Sequence, residues 1–175
     1  MSLLGVKKAL LTTRLRYIQQ TSDTLPAMTS ATAPSGHEAT GFGGTAYFSA
    51  EAWRVFDKRD TGSADFSLQN PNTGGVQRKT PSPIRVWRFG IRNRGSPNNQ
   101  ALKAFALYGS NDGSNYTLLL SVTGQVSWGD YEERYFDIPK SRRAAFLYHK
   151  LEITENNGSA ATSFNELYLL QEVRR

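Results

Sequence analysis

The sequence predicts an all-β protein, an antiparallel jelly-roll β-sandwich with an N-terminal arm, and three observations predict it. Short runs with strand alternation recur between Ile84 and Gln171, polar glycine-bearing turns separate them, and helical periodicity is nowhere sustained. The 175 residues suit one domain with a hydrophobic core, and 38% hydrophobic with 21% charged residues is ordinary globular composition.

Taken in order, Leu3 to Gln20 sets Leu3, Leu4, Val6, Leu10, Leu11, Leu15 and Ile18 among Lys7, Lys8, Arg14 and Arg16. A helical stripe fits this loosely, but Gly5 and Thr12-Thr13 weaken it, so an extended arm stays open. Residues 1–24 are read as an arm that packs on the domain or on a neighbouring chain, with the four cations as candidate assembly contacts, and residues 25–175 as the domain. Thr21 to Gly44 has loop composition with one short strand around Ala27 to Ala31. Trp53 and Phe56 stand at helical spacing and predict a turn or two that buries both. Asp60 to Thr80 reads as a polar loop, and Pro81-Ser-Pro83 leads into a strand from Ile84 to Asn93. Further strands are expected at Ala104 to Gly109, Tyr116 to Thr123, Glu133 to Ile138, Phe146 to Thr154 and Phe164 to Gln171. Asn111-Asp112-Gly113 supplies residues that tolerate positive φ in the turn between two of them.

The absence of cysteine excludes disulfides, iron–sulfur clusters and thiolate zinc sites, and two histidines exclude a histidine-rich metal site. The formal charge of +6 is uneven: no acid lies between Asp65 and Asp112, whereas Arg78, Lys79, Arg85, Arg88, Arg92, Arg94 and Lys103 do. Such a basic face could attract nucleic acid, an acidic polysaccharide or an acidic subunit. A solvated sheet face is preferred to a nucleic-acid site, which wants aromatics interleaved with the cations; alternation puts Trp87 and Phe89 on the opposite, buried side. No apolar run is long enough to span a bilayer, and lysines interrupt the apolar stretch at the start. The expectation is therefore synthesis in the cytoplasm without a signal peptide or membrane insertion.

No nucleophile with a base, no carboxylate pair in a cleft and no open metal set stands out. Asp130, Glu132 and Glu133 beside Trp128 and Tyr131 read as a solvated turn before a glycosidase pair. His149 shares strand parity with Leu151 and Ile153 and reads as a buried, hydrogen-bonded histidine. Sugars present apolar faces and ringed hydroxyls, so a sugar site needs an exposed aromatic platform among polar groups. Phe42, Tyr47, Phe48, Trp128 and Tyr131 are the available platforms, each with loop packing as its alternative. His37, Arg92, Arg94, Asn98 and Asn99 could supply hydrogen bonds.

Ala52-Trp-Arg-Val-Phe-Asp57, Phe105-x-Leu-x-Gly-Ser-x-Asp-Gly113, Tyr148-x-Lys-Leu-x-Ile153 and Asn165-Glu-Leu-Tyr-Leu169 fall in the order seen in discoidin-like (coagulation factor 5/8 type C) domains. The chain resembles that family over residues 27 to 171, which implies the galactose-binding-like jelly roll. Pro26-Ala-Met-Thr-Ser-Ala-Thr-Ala-Pro-Ser-Gly36 further resembles a version found in structural proteins of tailed bacteriophages. The resemblance implies a non-enzymatic virion component of a tail, baseplate, fibre or capsid surface, localised in the virion, homo-oligomeric and bound to other virion proteins. The alternative is a lectin-like, carbohydrate-binding module that attaches to a bacterial surface polysaccharide. Domains of this superfamily often hold a structural calcium, which carries over here to Asp57 and Glu166; Lys58 stands where the family has glycine and places a cation beside that site. The alternative roles are a turn cap for Asp57 and pairing with a base for Glu166.

Overall fold

The computed structural model describes residues 16–46, 51–59 and 66–174. Among the described residues nine strands form: β1 (Tyr17–Gln19), β2 (Glu38–Ala46), β3 (Phe66–Arg92), β4 (Leu102–Ser110), β5 (Thr117–Val122), β6 (Glu133–Asp137), β7 (Ala145–Asn156), β8 (Ala161–Phe164) and β9 (Glu166–Arg174). A 3-10 turn at Ala52–Phe56 buries Val55 and Phe56, whereas Trp53, expected to be buried with Phe56, is only partly buried against the core.

Every pairing is antiparallel, and the long β3 organises the fold by meeting β8, β2 and β7 along its first part and β9 and β6 along its last. The chain of neighbours runs β1-β9-β3-β7-β4-β5. Alternation sends Val76, Leu107, Leu151 and Ile153 from one part of this curled sheet, and Phe89, Ile91, Leu167 and Leu169 from another, into a single core. Phe105 joins the two parts, with Phe89 at 6.2 Å and Phe136 at 5.3 Å between ring centroids, both edge to face. The Asn111-Asp112-Gly113 turn closes as its residues require: Gly113 has φ +74°, and the Asp112 carboxylate accepts the N–H groups of Ser114 and Asn115. Those bonds, with one from the Asn115 side chain, hold the Asp112 carboxyl well below the usual range.

Several sequence expectations change. Residues 66–80 are strand, because Phe66, Leu68 and Val76 enter the core; of the polar residues that gave the segment its loop composition, Gln69, Asn70, Asn72 and Thr73 stay at least partly exposed, whereas Ser67, Arg78 and Thr80 are buried. Ala27 to Ala31 forms no strand; its N–H groups go to a turn and to the 3-10 segment, with Met28 N donating to Phe56 O at 2.9 Å and Thr29 N to Ala33 O at 3.1 Å. A register shift between Val86 and Arg88 inserts a bulge, so Trp87 and Phe89 do not share a side. Both are buried as expected, but Phe89 enters the core cluster, whereas Trp87 lies outside it and its indole N–H donates to the Gln20 carbonyl at 2.9 Å. That bond and the pairing of β1 with β9 dock the end of the N-terminal segment on the domain.

The basic stretch does not form an open cationic face. Lys79 pairs with Glu38, Arg85 with Glu172, Arg88 with Asp137, Arg92 with Glu133 and Lys103 with Glu155, acids brought in from outside the stretch. Arg78 is buried completely, its guanidinium donating to Pro26 O at 2.7 Å and meeting His37 Nδ1 at 3.1 Å. His149 faces it across the β3–β7 pairing and is buried as expected, but neither ring nitrogen has a hydrogen-bond partner among the described residues. The neighbour its strand register provides is a donor with nothing to accept, and the edge of Phe146 closes another side.

Candidate functional site

The last part of β3 lies between β6 and β9, and alternation gives these three strands an outer face opposite Phe89 and Ile91. On that face Gly90 is in register with Tyr135 on one side and Tyr168 on the other, and Arg92 with Glu133 and Glu166. Glycine at 90 is a packing requirement, since a Cβ there would sit 2.5 Å from the Tyr135 ring and 3.1 Å from that of Tyr168. The two rings therefore close over the strand, 6.1 Å apart and 16° from parallel. Tyr135 remains 44% exposed.

Glu133 locks the pair. Tyr135 O–H donates to its Oε2 at 2.8 Å and Tyr168 O–H to its Oε1 at 3.0 Å, while Arg92 Nη1 stands 3.6 Å from Oε1. Burial, then the Glu133 carboxylate, pushes the Tyr135 phenol up to about 12, and the same two causes raise Tyr168. Both hydroxyl hydrogens are committed to Glu133 and the Tyr168 oxygen accepts from Arg92, so the lone pairs of the Tyr135 oxygen are the ones offered to a ligand. A cavity of about 280 Å³ opens beside the rings, lined by Thr21, Ser22, Asp23, Lys58, Glu133 and Leu170 as well. The arrangement is an aromatic surface with fixed polar groups at its rim, suited to a ligand with an apolar face and hydroxyls.

Two of the sequence candidates join this face. The Arg92 guanidinium lies 5.5 Å from the centroid of the Tyr131 ring, and Tyr131, 37% exposed, donates its N–H to Arg94 O at 3.3 Å. Arg94 itself turns to Gln100 Oε1 at 2.6 Å, and Asn98 donates to Asp130 at 2.8 Å, so these groups lace the 93–101 and 127–132 loops together. Glu132 serves the same turn: it binds Arg134 and accepts Gly129 N–H, which lowers its pKa.

Other candidates stand elsewhere. Trp128 is no exposed platform: it is 5% exposed, its N–H donates to Leu102 O at 2.8 Å, and Arg134 covers its ring at 4.2 Å. His37 is buried and engaged with Arg78, because its loop folds over that guanidinium; burial first, and then the Arg78 charge, lower its pKa. Phe42 is half-buried on β2, where it meets Lys150 at 5.4 Å and lines a separate cavity with Pro71, Thr73 and Glu152. Tyr47, Lys7, Lys8 and Arg14 lie outside the described residues; Arg16 is exposed just before β1. Tyr135 and Tyr168 were missed by sequence reasoning, although each falls on the outward parity of its strand and Gly90 interrupts an otherwise strong strand, a sign of close approach.

The residues implied for calcium do not fit it. Asp57 Oδ1 accepts the Arg59 N–H at 2.8 Å, the turn-capping role. Glu166 is buried opposite Arg92, and among the described residues no group of three or more His, Asp or Glu side chains could hold a metal. Nearby main-chain oxygens of the kind calcium uses, those of Asp23 and Leu25, accept from the ammonium of Lys58.

No family model matches the sequence, and no curated protein matches it. Solved structures do. The CBM32-5 module of CpGH89 from Clostridium perfringens, in complex with GalNAc-β-1,3-galactose, is similar at TM-score 0.63 and 15% identity, over 77% of this chain and 94% of that one. The family 32 carbohydrate-binding module of NanJ from C. perfringens, in complex with galactose, is similar at TM-score 0.61 and 13% identity, over 79% and 94%. The lectin-binding domain of lectinolysin complexed with Lewis b is similar at TM-score 0.61 and 16% identity, over 85% and 100%. The fold is the galactose-binding-like jelly roll. At these identities the likeness carries the galactose-binding-like architecture alone. These three neighbours are glycan complexes, and nothing in them points to a virion protein.

Proposed function

We propose that this domain is a non-catalytic carbohydrate-binding module that holds a galactose-containing glycan against Tyr135 and Tyr168. The observation that carries the reading is the pair of nearly parallel rings over Gly90, fixed through both hydroxyls to Glu133 and open to solvent at Tyr135. Three solved structures of the same fold are complexes with galactose, GalNAc-β-1,3-galactose and Lewis b, which supports this class of ligand. The apolar face of a sugar ring stacks on the aromatic surface while its hydroxyls donate to the Tyr135 oxygen and accept from the rim. Binding of the purified protein to an array of galactose-terminated glycans tests the reading. Specific, saturable binding that Tyr135→Ala weakens tenfold or more is expected; silence from folded protein would end it.

A second reading keeps the attachment role implied by the phage-like opening of the sequence. What favours it is the apolar edge of the sheet, where β1 pairs with β9 alone among the described residues and Tyr17, Ile18 and Val173 are exposed. A virion component would copurify with phage particles, and its absence from them would remove this reading.

A further inference from the structure

Lys58 occupies the position at which the chain departs from the family pattern, and its backbone lies in the left-handed region, at φ +60°. Lysine enters that region at an energetic cost, so something must hold it there. Its ammonium supplies the hold: Nζ donates to Asp23 O at 2.8 Å and to Leu25 O, and lies 3.7 Å from the Asp23 carboxylate. Asp23 is anchored in turn, accepting Leu25 N–H at 2.8 Å and Leu169 N–H at 3.0 Å. Through these bonds the loop after the 3-10 turn, the segment entering the domain and β9 are tied at one point.

Two carbonyl oxygens and a carboxylate are hard oxygen donors of the kind a divalent cation gathers from separate loops. Here a compact charge with three N–H donors reaches the same groups from inside the chain. We propose that the Lys58 ammonium is a tethered substitute for a divalent cation and that the fold of this protein is independent of calcium. A calcium ion entering this cluster would meet the fixed positive charge already bound to its donors and would have to displace it.

Thermal unfolding of the full chain, with millimolar calcium and with EDTA, tests the proposal without any ligand of the aromatic face. The melting temperature of the wild type is expected to be the same in both, with no saturable heat on calcium titration; a rise of several degrees with calcium would overturn it. Lys58→Gly suits the positive φ better while removing the ammonium. This variant is expected to melt a few degrees lower than the wild type in EDTA and to recover with calcium. A variant as stable as the wild type in EDTA, or indifferent to calcium, would equally overturn it.

Discussion

Replacing His149 with leucine should flatten the pH dependence of stability between pH 7 and 5, by an amount that follows from the burial of its imidazole. His149 is 1% exposed beside Arg78, and burial first, then the guanidinium charge, lowers its pKa to about 3 from 6.5. The folded state therefore keeps the ring neutral while the unfolded chain protonates it on acidification. Because the folded value is depressed, the contribution is complete above pH 6.5 and is lost as pH falls from there toward 3. One group gives a limiting slope of about 1.4 kcal/mol per pH unit, so from pH 7.5 to 5 the wild type loses about 2 kcal/mol through this ring alone. For a domain of this size that corresponds to roughly 4–8 °C in melting temperature. His37 adds loss of the same sign, and Arg78 stays charged throughout. Carboxylates with lowered pKa, such as Asp137 and Glu172, respond mainly below pH 5, outside the window. The assay is urea unfolding of wild type and His149→Leu at pH 7.5, 6 and 5. At pH 7.5 the substitution should cost little, because neither ring nitrogen has a partner to lose. Parallel curves for the two proteins would refute the reasoning.

Trp128→Ala should destabilise the domain by about 3–5 kcal/mol in chemical unfolding, the cost of emptying a buried aromatic site; a loss of glycan binding at unchanged stability would instead restore its role as a platform. Gly90→Ala should reduce binding to a galactose-terminated glycan tenfold or more while the protein stays folded, since the new methyl displaces Tyr135 and Tyr168 together. Unaltered affinity in that variant would place the ligand on another surface.

The strands after Ile84 were legible because each carries its own alternation between turn residues, and the order of four short motifs gave the jelly roll. What failed was whatever depends on a partner. Residues 66–80 looked like loop because their outward positions are polar and a glycine pair, Gly74-Gly75, lies among them. The side on which Trp87 stands is set by a bulge visible only in its pairing with β9. Charge counted along the sequence made Arg78 to Lys103 a basic face, although the acids that neutralise it come from β2, β6, β7 and β9. The aromatic face was hidden for the same reason: Tyr135, Tyr168 and Gly90 belong to three strands, and only their shared register assembles them. Tyr131 and Arg92 could be suspected because both lie at loop ends, where exposed aromatics and cations draw notice.

The position of β3 has a consequence for how the protein is made. Of its five partners among the described residues only β2 precedes it, and β6, β7, β8 and β9 all lie in the last third of the chain. A nascent polypeptide that has emerged as far as Ser110 holds its longest strand with one described neighbour, and the rest of the ladder waits for residues 133–174. Pairings across such separations close slowly and leave apolar strand faces uncovered meanwhile. Stop codons or proteolytic cuts before β9 should therefore yield aggregation-prone fragments in place of a smaller folded domain. Fusions and tags are better tolerated beyond the ends of the chain than within this last third.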